Sequence, residues 1–327
     1  MTSNKKIMGA GSPIVDLLVN VEDRFLDTIE AEKGGMVLVD SSGMDQLLAQ
    51  VPVAPSIAPG GSAGNTIFGI AKLGMEASFL GKLSDDENGK YYSNKLVELG
   101  GSDKAFHILP GTATGRCLSM VTPDSERTMR TDLGAASTLS AEDITDADFE
   151  GIDHVHIEGY LLYLEGVTEK ILATAKKHGC TVSLDLATFE LIRMKRDVLP
   201  QLLKDYVDVV FANEDEAGEF VGEKSPEEQA EALFEMCPVA AVKLGEKGCC
   251  LRDKTGIYRV DANLVKPVDT TAAGDLWASG FLYGWLNDCP LETCGKFGSV
   301  TAAEVVQVMG SQITEANWLK IRQELTV

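Results

Sequence analysis

Short apolar runs alternate with stretches of helical periodicity along most of the chain. The runs have the length and composition of strands that helices cover on both faces. Strands are predicted at residues 6–10, 77–80, 154–157, 181–185, 207–212 and 239–243. Helices are predicted at residues 63–73, 87–99, 167–178, 189–204, 226–236, 274–286, 291–309 and 315–325. This order predicts one α/β domain, residues 1–327, with a mostly parallel sheet flanked by helices.

Two interruptions of the alternation carry strands that no predicted helix covers on a second face. Residues 14–21 and 35–39 resemble strands separated by a short helical pattern, and strands at 116–121 and 127–131 flank the turn TPDSE, which is typical of a hairpin. We therefore predict a small β-sheet lid formed by insertions at about residues 14–21, 35–39 and 115–131. The periodicity is equally compatible with a lid over a binding site and with a sheet that has no such role.

Several aromatic and histidine side chains fall at core positions of these elements. Trp277, Phe281 and Trp285 repeat at helical spacing, which is typical of a helix face packed into the core. His154 and His156 alternate along one strand, so they are predicted to be structural.

Charge and cysteine usage narrow the class of protein. The chain has 29 Lys and Arg against 50 Asp and Glu, a net charge of −21, which disfavours nucleic acids and anionic membranes as partners. No apolar run is long enough to span a membrane, and the N-terminus lacks the features of a signal peptide. The seven scattered cysteines form no C-x-x-C pair and the four histidines no metal-binding motif, so we expect reduced thiols, no structural zinc and a cytoplasmic protein.

The strongest local signal lies at residues 268–285, VDTTAAGDLWASGFLYGW, where a polar turn leads into an amphipathic helix. The N–H groups of Ala272, Ala273 and Gly274 would lie at the helix N-terminus, which favours anions. Asp275 follows at or just inside the first turn. It could cap the helix, or it could be a general base that takes a proton from a hydroxyl while the amides hold a phosphoryl group.

A second segment, PGGSAGNTIFGIAKLG at residues 59–74, places two glycines before a helix that carries a polar side chain in its first turns. Gly60 and Gly61 would let backbone approach a ligand closely, and Asn65 offers both a donor and an acceptor. On its own this pattern is a weak signal.

Together the two segments resemble the signatures of the ribokinase-like, or PfkB, family of carbohydrate and nucleoside kinases. DTTAAGD resembles the second signature, with Ala272 where Gly is common, and Gly-Gly followed by Asn resembles the first. Alanine can serve because the backbone N–H does the work, and only a required positive φ would exclude it. The resemblance covers essentially the full length and implies a ribokinase-like fold, ATP and Mg²⁺. In such a kinase Asp275 would be the base and the amides of residues 272–275 would hold developing charge.

The resemblance also implies roles for residues spread along the chain. The matching segments are GAGSPIVDLLVNV (9–21), RTMRTDLGAAS (127–137), HIEGYLL (156–162), ANEDEAGEF (212–220) and VKLGEKGC (242–249). The implied substrate-binding residues are Asp16, Gly60, Gly61, Asn65 and Glu158. The implied ATP-binding residues are Asn213, Glu216, Lys243, Gly245 and Gly248. Glu216 would act on Mg²⁺ through water, Asp269 would help to hold a monovalent cation such as K⁺, and Arg127 would face the phosphates as in adenosine-kinase-like members.

Plainer interpretations exist for the charged residues. Asp16 could be a polar residue on an exposed strand face, and Glu216 a solvated helix carboxylate. Glu158 could be paired with a neighbour, and Arg127 could lie on a hairpin without a functional role. The presence of both signatures in order favours the ligand-binding interpretation.

Three other functional classes compete with a kinase: a dinucleotide-dependent oxidoreductase, a P-loop NTPase and a non-catalytic binding protein. GAG at residues 9–11 could begin a dinucleotide-binding fingerprint, but Ile14 stands at its third glycine and a strand follows instead of a helix. No G-x-x-x-x-G-K-[ST] motif of a P-loop is present. A non-catalytic sugar- or nucleoside-binding regulatory protein with a kinase fold is the remaining alternative, disfavoured because both signatures are intact.

The acceptor stays open at this point. No cluster of Lys or Arg surrounds Asp16 and Asn65, which favours a neutral acceptor over a sugar phosphate. A carboxylate and an amide suit a polyol, whereas Met36, Val37 and Phe106 could form the walls of a nucleoside base site. The exposed strand edges of the lid make a homodimer through the lid an expectation.

Overall fold

Nine strands form the large sheet of the computed structural model, which describes residues 5–29, 32–124 and 126–326. In spatial order they are β14 (Gly256–Val260), β13 (Cys249–Asp253), β12 (Val239–Lys243), β11 (Val209–Asn213), β10 (Thr181–Asp185), β9 (His154–Glu158), β1 (Lys6–Ala10), β5 (Glu76–Leu83) and β6 (Phe106–Ile108). The pairs from β12 to β6 are parallel, and β12, β13 and β14 pair antiparallel. The predicted mostly parallel α/β sheet is thereby confirmed.

Helices cover both faces of this sheet because successive strand residues point to opposite sides. The helices are α1 (Asp23–Thr28), α2 (Ser41–Leu48), α3 (Ser62–Lys72), α4 (Glu87–Glu98), α5 (Val167–Lys177), α6 (Phe189–Lys195), α7 (Leu199–Tyr206), α8 (Glu214–Val221), α9 (Pro226–Phe234), α10 (Ala273–Leu286), α11 (Leu291–Val305) and α12 (Glu315–Glu324). Val209 and Phe211 of β11 pack in one apolar cluster with α3, α10, α11 and α12. Val210 and Ala212 of the same strand pack in a second cluster with α5 to α9.

Two predicted helices differ from the structure. The single helix predicted at residues 189–204 is wrong: the chain forms α6 and α7, with Pro200 in the first turn of α7. Proline lacks the N–H and its ring clashes with the carbonyl four residues earlier, so one continuous helix is disfavoured. The helix predicted to reach residue 309 ends at Val305. The carbonyl of Val306 instead accepts the amides of Val268 (2.7 Å) and Asp269 (3.2 Å).

The lid is a five-stranded sheet in the order β3 (Met36–Leu38), β8 (Arg127–Asp132), β7 (Gly115–Val121), β2 (Ile14–Asn20) and β4 (Ser56–Gly60). The predicted strands are present, although Ser125 of the predicted turn lies outside the described residues. Strand β4 was not predicted. Leu26 of α1 and Met44 of α2 join the apolar cluster that contains Val15, Leu17 and Val19 of β2, so helices cover one face of the lid, and the face that carries Asp16 lies opposite.

The predicted core residues occupy the interior beneath α10. Trp277 and Phe281 are buried and their rings stack with centroids 5.2 Å apart, and Trp285 packs edge-on against His154 at 5.4 Å. His154 and His156 each bond Ser183 Oγ at 2.9 Å in the sheet interior. Burial lowers the pKa of both imidazoles, for His156 to about 4, so both are neutral at physiological pH.

Within the described part of the chain, none of the helices combines the length and apolar character needed to cross a bilayer. All seven cysteines are free thiols, and six of them are buried.

The elements that matter for chemistry meet at one edge of the large sheet, where strands β9 to β12 end and where α3 and α10 begin. In open α/β sheets this carboxyl edge is where ligands bind.

Candidate active site

Asp275 lies in the first turn of α10 and is held by three side chains of α3. Ser62 Oγ donates to Asp275 Oδ1 at 2.8 Å and Asn65 Nδ2 donates to Oδ2 at 2.9 Å. Thr66 Oγ1 donates to the Asp275 carbonyl at 3.0 Å. Burial raises the pKa of Asp275 to about 6, with the carboxylate of Asp185 adding to the shift and the bonds from Asn65 and Ser62 opposing it. A carboxylate fixed in place with such a pKa is suited to accept a proton near neutral pH.

The N-terminus of α10 presents unused backbone donors beside this carboxylate. Ala273 N–H donates to Thr270 O at 3.3 Å, but the amides of Ala272, Gly274 and Asp275 have no acceptor among the described residues. The predicted run of four amides is therefore reduced to three free donors. Free amides at a helix N-terminus favour bound anions.

Lys243, at the end of β12, adds a positive charge to the same place. Its Nζ lies 3.2 Å from the position that a Cβ on Gly274 would occupy, so the ammonium lies against the N-terminus of α10. The ammonium also pairs with Asp185 Oδ2 at 2.7 Å. Burial lowers the pKa of Lys243, but the carboxylates of Asp185 and Glu216 outweigh this effect and the pKa is raised overall. Lys243 is therefore a buried, charged cation at the anion-favouring helix end.

Asp185 is the functional candidate that the sequence reasoning missed. It is buried at the carboxyl end of β10, where it accepts Ala187 N–H at 3.1 Å in addition to bonding Lys243. The signal was available: Asp185 is the last residue of a strand predicted correctly, at the edge where parallel strands present their ligands.

Asn213 and Glu216 form a reciprocal cap at the N-terminus of α8. Glu216 Oε2 accepts Asn213 N–H at 2.8 Å, Glu216 Oε1 accepts Asn213 Nδ2 at 2.7 Å, and Asn213 Oδ1 accepts Glu216 N–H at 2.8 Å. This is a capping box. Burial and the nearby Asp185 raise the pKa of the Glu216 carboxyl, while Lys243 opposes that shift. The plainer interpretation of Glu216 as a solvated helix carboxylate is wrong, because Glu216 is buried beside the Asp185–Lys243 pair.

The turn between β12 and β13 has two glycines with positive φ, at 58° for Gly245 and 87° for Gly248. A Cβ on Gly248 would lie 1.9 Å from Val260 O, so no other residue fits there without rearrangement. The turn is thus explained by backbone geometry. The predicted contact of these glycines with the nucleotide stays a prediction.

The lid contributes a second carboxylate, on Asp16 of β2. The carboxyl group lies against Gly60, where an added Cβ would come within 2.4 Å of all three of its atoms. It makes no hydrogen bond to any described residue. Burial raises the pKa of Asp16 to about 7, Arg127 opposes the shift, and Asp275 and Asp269 add to it. The structure therefore brings Asp16 and Asp275 into one electrostatic environment.

The guanidinium of Arg127 lies near Asp16 and opposes the rise in the pKa of that carboxyl group. Its Nε and Nη1 are buried and have no partner in the part of the chain that the structure describes. A guanidinium cannot shed its proton, so these two buried donors favour an anionic or carbonyl acceptor. Asn65 Oδ1 is likewise buried without a partner.

Two other predicted ligand residues are engaged by the protein itself. Glu158 Oε1 accepts Ser12 N–H at 2.7 Å and Oε2 accepts Ala63 N–H at 3.0 Å. Asp269 accepts the amides of Thr271 and Gly310, both at 2.8 Å. These contacts fix backbone around the site. The predicted substrate contact of Glu158 and the predicted cation contact of Asp269 stay predictions.

The residues proposed as walls for a base separate into three environments. Met36 lies on the face of the lid that carries Asp16, because Met36 pairs through Met129 and Ser119 with Leu18, two residues from Asp16. The prediction for Val37 is wrong, since neighbouring strand residues point to opposite faces. It is also wrong for Phe106, which is buried on β6 among core aromatic rings.

The geometry agrees with comparisons to known proteins. The model of the pfkB family of carbohydrate kinases matches residues 44–318. The chain belongs to the PfkB family of carbohydrate kinases. This assignment confirms the resemblance drawn from the two signatures, and with it the ribokinase-like fold.

Relatives of this kinase act on different acceptors. The structure is similar to that of adenosine kinase from Sinorhizobium meliloti, with 32% identity, a TM-score of 0.87 and coverage of 98% of this chain and 100% of that one. A probable sugar kinase from Rhizobium etli has 31% identity and a TM-score of 0.87, covering 99% of this chain and 100% of the other. A 5-dehydro-2-deoxygluconokinase from Listeria monocytogenes is 28% identical over 76% of this chain and 80% of its own length. The family is therefore established, and the acceptor is not.

Membership in this kinase family implies ATP and usually Mg²⁺, and the residues present fit both. The free amides of α10 and the ammonium of Lys243 suit a polyphosphate. Mg²⁺ typically keeps several waters and uses one or two carboxylates together with phosphate oxygens. Asp185 and Glu216 are the carboxylates at that edge of the sheet.

The conformation of Ala272 generates the first prediction. Its φ is 57°, in the left-handed region that costs an L-residue roughly 1–2 kcal/mol. The expectation that a required positive φ would exclude alanine is therefore wrong, because this kinase holds alanine where glycine would be unstrained. Ala272→Gly should raise the melting temperature slightly, because relief of strain exceeds the roughly 0.5–1 kcal/mol entropic cost of glycine. Ala272→Val should lower both melting temperature and turnover.

The matched control is Ala273→Gly, one position into the helix, which should destabilise by up to about 1 kcal/mol. The measurement is the melting temperature of Ala272→Gly, Ala272→Val and Ala273→Gly, each compared with the parent. Equal destabilisation by glycine at both positions would show that residue 272 is not strained.

The raised pKa of Asp16 predicts a pH-dependent gain in stability for Asp16→Asn. The folded protein binds this proton more tightly than the unfolded chain, so ionisation destabilises the fold as pH rises from about 4 to about 7. The variant should match the parent near pH 4 and melt about 2–4 °C higher at pH 8, roughly the effect of 1 kcal/mol. The exposed Asp261→Asn is the control. A difference that is independent of pH would contradict the assignment.

Proposed function

We propose that this kinase transfers the γ-phosphoryl group of ATP to a hydroxyl of a neutral acceptor, with a nucleoside as the favoured substrate class. The supporting observation is the character of the lid face around Asp16. Strand pairing places Asp16 in one row with Ala58, Cys117, Thr131 and Leu38. The next row carries Ser56, Leu18, Ser119, Met129 and Met36.

This face is mostly apolar, and its outer part is open. Met36 is 46% exposed and Leu38 is 57% exposed, whereas Cys117 and Leu18 are buried. A carboxylate beside exposed apolar side chains suits a ligand with a polyol at one end and a flat apolar group at the other. A nucleoside has that composition: its ribose hydroxyls would meet Asp16, and its base would lie on the methionine-lined face.

Asp275 would accept the proton of the attacking hydroxyl as the oxygen–phosphorus bond forms and the bond to the ADP leaving group breaks. Ser62 and Asn65 would hold the carboxylate in line for this step. Asn65 Oδ1, which has no partner among the described residues, would accept a hydrogen bond from a hydroxyl of the substrate. The amides of Gly274 and Asp275, with the guanidinium of Arg127, would receive the charge that develops on the transferred group. Mg²⁺, when bound, would neutralise phosphate charge.

A neutral sugar is the second candidate. Asp16 and Asn65 offer only a carboxylate and an amide, which suit a polyol alone as well as a nucleoside. A sugar would use the inner, polar part of the site and leave the exposed methionine face without a contact.

The deciding experiment measures ADP release with Mg·ATP and a panel of adenosine, other nucleosides, ribose, fructose and fructose phosphates. A nucleoside should give the highest kcat/KM, and Asp275→Asn should lose it by about 10²–10⁴-fold. The parent's rate should fall as pH drops through about 6, because the base must be ionised to act. If ribose or fructose is preferred, the acceptor class is the sugar. If no acceptor turns over, a non-catalytic binding protein becomes the better description.

Lys243 should be needed for the nucleotide and not for the acceptor. Lys243→Met removes the ammonium beside the α10 amides, so kcat/KM for Mg·ATP should fall by about 10²-fold or more. KM for the acceptor should change little. Lys247→Met, an exposed lysine paired with Glu214, is the control. An unchanged kcat/KM for Mg·ATP would exclude Lys243 from the phosphate site.

A further inference from the structure

The chain passes between the large sheet and the lid four times, and these passages lie in two touching pairs. We use crossover A for residues 11–13, between β1 and β2, and crossover B for residues 61–63, from the end of β4 into α3. A Cβ on Gly61 would lie 2.3 Å from Ser12 O, so crossovers A and B are in direct contact. The other two passages also touch, since Ala135 N–H donates to Ala113 O at 2.8 Å.

One carboxylate of the body bonds each pair, in addition to other bonds such as that from Gly11 N–H to Leu80 O at 3.2 Å. Asp86 accepts Thr114 N–H at 2.8 Å and the Thr114 hydroxyl at 2.6 Å at one pair. At the other pair, Glu158 accepts one amide from crossover A and one from crossover B. Glu158 is 1% exposed, and it lies at the end of β9 in the centre of the large sheet.

The two crossovers lead directly to the residues that the reaction needs. Crossover A enters the strand that carries Asp16. Crossover B begins the helix whose Ser62 and Asn65 hold Asp275. The position of Glu158 therefore sets the lid carboxylate relative to the base, although Glu158 bonds to neither.

We propose that Glu158 is a positioning residue that fastens crossovers A and B to the large sheet, and that it does not act as a ligand of the acceptor. This inference rests on the proposed kinase function for its consequence in turnover. The fastening itself is independent of that function. In a near-attack geometry, displacement of a reacting group by about 1 Å can cost about 10²-fold in rate.

Two variants weaken the fastening by different routes. Glu158→Gln keeps the shape but turns one acceptor oxygen into a donor that faces an amide. Gly11→Ala leaves Glu158 in place, but the new Cβ would lie 2.4 Å from Glu158 Oε2 and 3.0 Å from the Ala63 Cβ. The carboxylate is the movable end of a side chain, so it would be displaced from both amides. Gly11 does not have a positive φ, so alanine is compatible with its backbone. The exposed Glu165→Gln is the control.

The first measurement is hydrogen exchange at the amides of Ser12 and Ala63 in the absence of any substrate. Gly11→Ala should raise the exchange rate at both amides by about tenfold or more, the effect of losing one bond to a charged group. Glu158→Gln keeps one carbonyl oxygen, so it should raise the exchange rate at the amide that its new NH2 group faces. The control should match the parent. Unchanged exchange in both Glu158→Gln and Gly11→Ala would overturn the proposal, whether or not the protein is a kinase. If Glu158→Gln does not fold, Gly11→Ala alone decides the exchange result.

The second measurement separates fastening from acceptor binding. With the acceptor identified in the panel, both variants should lose about tenfold to a hundredfold in kcat. The loss should be the same for deoxy analogues that each lack one hydroxyl. If Glu158 instead contacts a hydroxyl, the loss in Glu158→Gln will disappear for the analogue that lacks it, and the proposal is then wrong. Absence of turnover in the parent would count against the proposed function and would leave the exchange result intact.

Discussion

The arrangement of the site depends on one interaction between helices, in which side chains at the start of α3 hold the carboxylate of Asp275 at the start of α10. The N-terminus of α10 brings unsatisfied amides that favour negative charge to the same place. The donors from Ser62 and Asn65 oppose the desolvation that would otherwise keep Asp275 protonated. Without them, these amides would lie beside a neutral carboxyl group. With them, the same few residues supply both a base and an attraction for phosphate.

That arrangement has a cost in stability. The chain already carries a net charge of −21, yet it places carboxylates at Asp16, Glu158, Glu216 and Asp275 where desolvation raises each pKa. Among the described residues, Lys243 opposes this shift at Glu216 and Asp275, and Arg127 opposes it at Asp16. Raised carboxyl pKa values mean that the folded state resists ionisation, so the site is less stable at neutral pH than a polar, paired equivalent would be. Clusters of this kind are characteristic of functional sites, where stability is sacrificed for reactivity.

The sequence predicted what depends on periodicity and on local signatures. Six of the nine strands of the large sheet, four of the five lid strands and the turn before Asp275 were recognisable, because each is encoded by neighbouring residues. The sequence could not reveal which distant residues form hydrogen bonds with a given side chain. Glu158 looked like a substrate ligand because it ends a strand at the ligand-binding edge, but its oxygens are taken by Ser12 and Ala63, far away in the chain. Strand β4, SIAPG, has a proline and a glycine that hide it from any strand pattern.

Several residues for which the sequence offered either a structural or a functional role have contacts that suit both roles. Asn213 and Glu216 cap α8 through reciprocal bonds, and that same cap keeps Glu216 rigid beside Lys243 and Asp185. Asp269 bonds the amides of Thr271 and Gly310, and so shapes the turn that presents the α10 amides. A group must be fixed before it can act on a substrate, since a mobile carboxylate would lose the orientation that the reaction needs. Structural bonds to backbone amides are therefore how this fold holds its candidate site in place, and they do not count against a role in catalysis.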